Sequence, residues 1–270
     1  MIISIISDKN NLISFGFYKA FKTLYKDVFI IYYPSQFSIL DKSNIIIINS
    51  FNNIEKMIIS KNKKYILLKK NEEMENILKK SNCIFYKIFE YDQDFLYKDY
   101  DMIAPFMYMK NNFIIMPYMS IYTKNEILFN YKNNILINKN DDFDKDKMIM
   151  IKNNNGKLIK QNKLPKLKIF NYLNNLQQKK LIEDFNIFVS FYNPNKFDYK
   201  SLSYMSLGSF SFTNSKLNKQ YIPKTIGINF EKDIRKINKD SKKYQIKNIQ
   251  EIYNNYTFEK YIKILNKFLI

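Results

Sequence analysis

The chain has 270 residues, 46% of them hydrophobic and 17% aromatic, which suffices for one large or two small domains and excludes a disordered protein. One cysteine and no histidine exclude a disulfide, a His-based triad and a His-ligated zinc site, and leave carboxylates, hydroxyls, Tyr and Lys as the groups able to do chemistry. A formal charge of +19 points toward nucleic acid, acidic lipid or a phosphorylated substrate, yet Arg235 is the one arginine among 44 basic residues.

Arginine's planar fork suits phosphate better than lysine, and a sequence loaded with Lys, Asn, Ile, Tyr and Phe is what an AT-biased genome writes. The charge therefore carries composition as well as function. The opening MIISIISDKNN lacks a basic n-region and a small-residue cleavage site, and no apolar run approaches the roughly 20 residues of a membrane span. A cytoplasmic protein is expected.

In chain order, Ile2–Ile6 predicts a buried strand closed by the polar turn Ser7–Asn11. Ser14 is expected to cap a helix whose apolar positions Phe17, Ala20, Phe21, Leu24 and Tyr25 recur at helical spacing. Val28–Tyr33 and Asn44–Ile48 predict the next strands, the second with four consecutive isoleucines that suit burial on both faces of a parallel sheet. A helix near Ile54–Ser60, a strand at Tyr65–Leu68, a helix at Glu72–Lys79 and a strand at Cys83–Ile88 continue the alternation of a doubly wound α/β domain. Phe89–Tyr100 then breaks into the acidic, aromatic loop FEYDQDFLYKDY, on the edge where ligands bind, and Phe113–Met116 is strand-like.

Tyr122–Lys147 turns rich in Asn, Lys and Asp and reads as an interdomain connection. The second half offers strands at Met148–Ile151 and Lys166–Phe170 around the turn Asn153–Lys157, then an amphipathic run ending at Phe185. Strand Asn186–Phe191, a loop with Pro194, helix Tyr199–Leu207 stopped by Gly208, and strand Ser209–Thr213 compose a βαβ-like unit. Its strand ends, Ser190–Lys200 and Thr213–Ser215, are the expected ligand positions. Thr225–Phe230 predicts a last strand, and Thr257 caps a final helix expected to pack across the domains. The fold class is α/β, with two Rossmann-like domains at residues 1–120 and 121–270 facing a cleft.

The stretch FNIFVSFYNPNKFDYKSLSYMSLGSFSFTNS, followed by TIGINF and a helix beginning YTFEKY, resembles the C-terminal half of GT-B-fold glycosyltransferases. Tyr204-Met205-Ser206-Leu207-Gly208 and Thr213-Asn214 match that family's run of small and apolar residues, glycine and strand end. The N-terminal IISIISDKNNLISFGFYKAF and DVFIIYY are similar to a GT-B start. Gly16, Gly156, Gly208 and Gly227, the chain's four glycines, fall at similar positions, where φ > 0 or close backbone approach would make a side chain costly.

The resemblance implies transfer of a sugar from a nucleotide-sugar donor, held by the second domain, to an acceptor hydroxyl at the first, without metal or cofactor. The nearest approach to a DxD signature is YDQD at Tyr91–Asp94. Retaining members carry two glutamates separated by seven residues; Asn195 and Ser203 stand there, which implies an inverting branch or a relative without catalysis. Inverting transfer needs a general base. Asp8, at the end of the first strand, is the first choice, with Asp92 and Asp94 second. The diphosphate would meet the amides opening Tyr199–Leu207, helped by Lys200 and Ser201, with Lys157 from the earlier turn and Gly208 closing the segment. Ser190 and Tyr192 are the expected nucleotide contacts.

Two other classes remain open: a silent GT-B relative serving as a binding or partner subunit, and a basic nucleic-acid-binding protein. The acceptor is a glycan, a lipid-linked molecule or DNA, and the basic surface allows contact with a membrane or nucleic acid.

Overall fold

A computed structural model describes residues 1–9, 11–122, 193–222 and 246–269, together with the backbone of short strands at 135–138, 167–170 and 187–190 and the side chain of Ser190. The chain divides into two units. The first comprises Met1–Tyr91, Phe95–Ile121 and Phe258–Ile270; the second comprises Asp92–Asp94 and Tyr122–Thr257.

The first unit is a mixed α/β layer structure built on an eight-stranded sheet. Its strands are β1 (Ile2–Ile6), β2 (Asp27–Ile31), β3 (Ile45–Ile48), β4 (Lys64–Leu67), β5 (Ile84–Glu90), β6 (Asp101–Ala104), β7 (Met107–Lys110) and β8 (Phe113–Met116). They lie in the order β2-β1-β3-β4-β5-β8-β7-β6. The first six in that order are parallel neighbours, and β7 and β6 extend the sheet as an antiparallel hairpin. All four isoleucines of β3 are buried, as a central parallel strand covered on both faces requires.

Helix α1 (Leu12–Lys22) follows β1, and α2 (Glu72–Lys80) follows β4. The α1 cap is Asn11, whose side chain accepts the amide of Ser14; Ser14, expected as the cap, lies inside the first turn. Asn71 caps α2 in the same way, with three glutamates in the first turn and two lysines in the last matching the helix dipole. One face of the sheet, through Ile6, Ile46, Ile48, Tyr65 and Leu67, packs with Met74 and Leu78 of α2. Strand alternation sends Ile3, Ile5, Ile45, Ile47 and Ile66 to the other face, where they are also buried.

The C-terminal helix, expected in the second half, belongs to this first unit and pairs with α1. Phe17 meets Phe258 edge-on at 5.1 Å, and the Tyr25 hydroxyl donates to Asn266 Oδ1 at 2.8 Å. Gly16 permits this approach: a Cβ there would lie 2.9 Å from Ile121 Cγ2 and 3.0 Å from the Phe258 ring.

The second unit contains a four-stranded parallel sheet, β10-β9-β11-β12, from β9 (Ile135–Asn138), β10 (Leu167–Phe170), β11 (Ile187–Ser190) and β12 (Phe210–Thr213). Helix α3 (Tyr199–Ser206) connects β11 to β12, and α4 (Lys216–Tyr221) follows. Residues 246–255 form α5, leading into α6 (Phe258–Leu269) of the first unit. No helix among the described residues is long and apolar enough to cross a membrane.

Several expectations differ from the structure. The helix near Ile54–Ser60 is a short 3-10 turn at Ile54–Lys56, because Met57 already has extended backbone. The β6–β7 hairpin lies where no strand was expected, and β9 lies inside the stretch read as a connection. The strands expected at Met148–Ile151 and Thr225–Phe230, the helix ending at Phe185, Gly156 and Gly227 fall outside the described residues.

Candidate functional site

Strands β1 and β3 are neighbours, while the chain leaves β1 for β2 on its other side; the sheet order therefore reverses between β1 and β3. Crevices at the carboxyl ends of strands flanking such a reversal are where open α/β sheets take ligands. The residues there converge on one carboxylate. Asp8 follows β1, and its Oδ1 accepts the Ser50 hydroxyl at 2.6 Å and the Asn52 amide at 3.2 Å, both from the loop after β3. Lys69, just after β4, places its ammonium 3.8 Å from Asp8 Oδ2. The carboxylate is oriented on one oxygen and faces a cation on the other, while its side chain stays 45% exposed.

The support beneath it is rigid. The amides of Asn49 and Ser50 both donate to the Ile6 carbonyl, at 2.9 and 3.3 Å, fixing the β3 exit against the end of β1. Asn49, buried, donates to Asn11 Oδ1 at 2.9 Å and Ser14 Oγ at 2.7 Å, tying that exit to the start of α1. Lys9 lies 4.9 Å over the centre of the Tyr33 ring, at the end of β2.

Asp92 and Asp94 belong to the second unit, with Asn195. The Gln93 amide donates to the Asn195 carbonyl at 2.9 Å, Asp92 Oδ1 accepts the Asp94 amide at 3.1 Å, and the Asn195 side-chain amide donates to Asp94 Oδ2. Lys196 lies 3.9 Å from Asp92 Oδ2, and the two residues form an isolated antiparallel bridge. The structure thus gathers Asp92, Asp94 and Asn195 into one small turn-on-loop contact, with Asp8 in the other unit.

The start of α3 is organised by a residue the sequence reading passed over. Asp198 caps the helix and is fully buried; it accepts the Ser201 amide at 3.1 Å, the Ser201 hydroxyl at 2.7 Å and the Thr213 hydroxyl at 2.7 Å. Asn218 completes the frame, accepting the Asp198 amide at 2.9 Å and donating to its carbonyl at 3.2 Å. Ser201, expected to help hold a diphosphate, instead directs both its amide and its hydroxyl to Asp198.

Ser203 is buried and donates to the Tyr199 carbonyl at 2.7 Å, one helical turn back. Ser190 is buried at the end of β11, and Lys200 is half-buried on α3. Gly208 adopts φ 103° and donates to the Met205 carbonyl, turning the chain from α3 into β12 where an L side chain would be strained. Lys157 and Tyr192 lie outside the described residues.

The sequence matches no protein-family model and no curated protein.

Proposed function

We propose that the protein is a metal-independent, GT-B-type glycosyltransferase, with the first unit taking an acceptor hydroxyl and the second a nucleotide-sugar. The observation that carries this reading is the Asp8 carboxylate. It sits at the switch point of a parallel sheet, held by Ser50 and Asn52, reachable by substrate and faced by Lys69. In inverting transfer such a group accepts the acceptor's proton as its oxygen attacks the anomeric carbon, and the nucleoside diphosphate departs. Ser50 and Asn52 would hold the receiving carboxylate, with the Lys69 ammonium 3.8 Å from its other oxygen.

One observation favours a second reading, a GT-B relative that binds without transferring. Asp198 places a carboxylate at the start of α3, where the resemblance implies a diphosphate, and like charges repel there.

A thermal-shift panel of UDP-, GDP-, ADP- and CMP-sugars at millimolar concentration tests both. A ligand well above its dissociation constant must raise the melting temperature. A shift accompanied by nucleotide release, lost in Asp8→Asn and kept in Asp92→Asn, supports transfer. A shift without release supports the second reading, and no shift with any donor overturns both.

A further inference from the structure

The segment after β5 and the β6–β7 hairpin carries an aromatic surface that the Asp8 site does not use. Tyr97 and Tyr108 stack at 4.9 Å with rings 20° apart, and Tyr108 stacks on Tyr91 at 6.1 Å and 18°. Phe95 leans on Tyr97 at 4.9 Å, and Tyr100 meets Tyr97 edge-on at 5.8 Å. The outer members are open: Phe95 is 55% exposed, Leu96 74%, and Met102, paired across the hairpin with Tyr108, 66%. Phe106 is held at φ 61°, a left-handed conformation disfavoured for a bulky residue, and its ring meets Tyr91 edge-on at 5.4 Å. Backbone strain at a turn that builds a ring cluster is the pattern of a shaped surface.

We infer that this surface is a platform for a neutral oligosaccharide, which serves as the acceptor. The inference rests on the glycosyltransferase reading for the word acceptor, though not for the binding itself. Its chemistry is set by what surrounds the rings. From Tyr91 to Lys110 the charges are Lys98 and Lys110 against Asp92, Asp94, Asp99 and Asp101, a net of −2 in a chain of +19.

Lys110 lies 3.8 Å from Asp99 and 5.8 Å over the Tyr100 ring. A phosphate backbone or an anionic membrane needs a cationic surface, and this stretch of a basic molecule carries no net positive charge. A neutral sugar needs an electron-rich ring face for its C–H-lined side and charged or phenolic groups at the rim for its hydroxyls. The platform supplies both.

The sheet supplies the connection to Asp8. β1, β3, β4 and β5 are parallel, so Asp8 and Tyr91 leave the same edge, three strands apart, or roughly 14 Å at the usual strand spacing. An extended oligosaccharide of a few residues covers that distance. A glycan stacked on the hairpin would reach along the carboxyl edge and offer its terminal hydroxyl to the base.

The chain has no tryptophan, so Phe95→Trp creates a single reporter on an exposed ring position. Its emission is followed while titrating neutral oligomers of glucose, mannose, galactose and N-acetylglucosamine. Parallel titrations use a DNA oligomer, vesicles containing phosphatidylserine, and the protein alone.

A saturable emission change with at least one neutral oligomer, insensitive to salt, is the expected result. In the otherwise wild-type protein, Phe95→Ala should weaken that oligomer by about fivefold, since one stacking contact is worth about 1 kcal/mol. Response to DNA, to vesicles or to protein concentration without response to any oligomer overturns the proposal, as does silence throughout. Because Phe95 is largely exposed, Phe95→Ala leaves the fold intact and keeps the comparison valid. Oligosaccharide binding in a protein that fails the nucleotide-sugar panel would retain the platform and remove the transferase. The converse result would retain the transferase and remove the platform.

Discussion

The Ser50 hydroxyl donates to Asp8 Oδ1 across 2.6 Å, joining the exits of two neighbouring parallel strands through one exposed carboxylate. Replacing Ser50 by Ala removes the shortest contact that orients the carboxylate but leaves its charge. On the transferase reading proposed above, Ser50→Ala should lower kcat moderately, while Asp8→Asn, which would lose the proposed proton acceptor, should lower it by about 10²–10⁴. Both variants should melt within a degree or two of the parent, since the Asp8 side chain is nearly half exposed. Nucleotide release measured beside thermal unfolding checks this. A large melting shift in Asp8→Asn would make the residue a structural support.

Asp198 should behave in the opposite way. Asp198→Ala leaves the Ser201 amide, the Ser201 hydroxyl and the Thr213 hydroxyl, all buried, without their acceptor. Each orphaned donor costs about 1–3 kcal/mol, so a loss of about 3 kcal/mol or more is expected. Thr213→Ala removes two bonds, the one its hydroxyl donates to Asp198 and the one it accepts from the Ser215 amide, and should cost about 1–3 kcal/mol. Urea unfolding gives both values. An Asp198→Ala midpoint equal to the parent's would mean that the network contributes nothing to the fold.

The parallel core of the first unit was legible because its strands are runs of isoleucine, and α1 because its apolar positions recur at helical spacing. The β6–β7 hairpin was not. Its turn places Phe106, after Pro105, in a conformation usually announced by Gly or Asn, so the local signal was missing. β9 is four residues inside an Asn- and Lys-rich stretch, where composition outweighed the short apolar run.

In the site, Asp8 could be read from its position after a strand. Ser50 and Asn52, 42 and 44 residues away, meet it only through the sheet order. Asp198 did carry a local signal, an Asp directly before a helical run, and a capping reading would have found it. Such a cap competes with phosphate for the same amides.

Glu75 and Lys87 form a second buried charge arrangement. Their atoms lie 2.9 Å apart with both side chains about 10% exposed, and the Lys87 ammonium sits 3.6 Å from the centre of the Phe113 ring. Glu75→Gln leaves that ammonium without a countercharge and should cost about 3 kcal/mol or more. The double variant Glu75→Leu with Lys87→Met removes both charges and should unfold close to the parent. If the double variant loses as much as the single, packing rather than charge pairing accounts for the effect.

Gly16 sits inside α1, where alanine would ordinarily gain about 1 kcal/mol of helix propensity. The added Cβ would press on Ile121 and on the Phe258 ring at 2.9–3.0 Å, and both residues are buried with little room to move. Overpacking of this kind costs about 1–3 kcal/mol, so Gly16→Ala should be destabilising on balance, and Gly16→Val more so. Unfolding of the two variants tests the order. A more stable Gly16→Ala would show that α1 and α6 separate without penalty.

Tyr118 is expected to weaken the first unit at alkaline pH. It is fully buried against Phe258, their rings stacked at 6.0 Å, and burial pushes its phenol above the ordinary value, with the nearby Glu90 charge adding to the effect. Tyr65 is raised by burial too, partly offset by its hydrogen bond to Ser60. In the unfolded chain a tyrosine ionises near pH 10. Below that value the phenol is neutral in both states and its stabilising contribution is complete. As pH rises past about 10 the unfolded chain sheds the proton and the folded chain does not, so stability falls, by about 1.4 kcal/mol per pH unit for each such group.

Urea midpoints should thus hold steady to about pH 9 and decline above about 10. Tyr118→Phe should show a shallower decline, and comparison with the parent cancels the titration of the many lysines. Equal slopes in the two proteins would show that the Tyr118 proton does not govern alkaline unfolding.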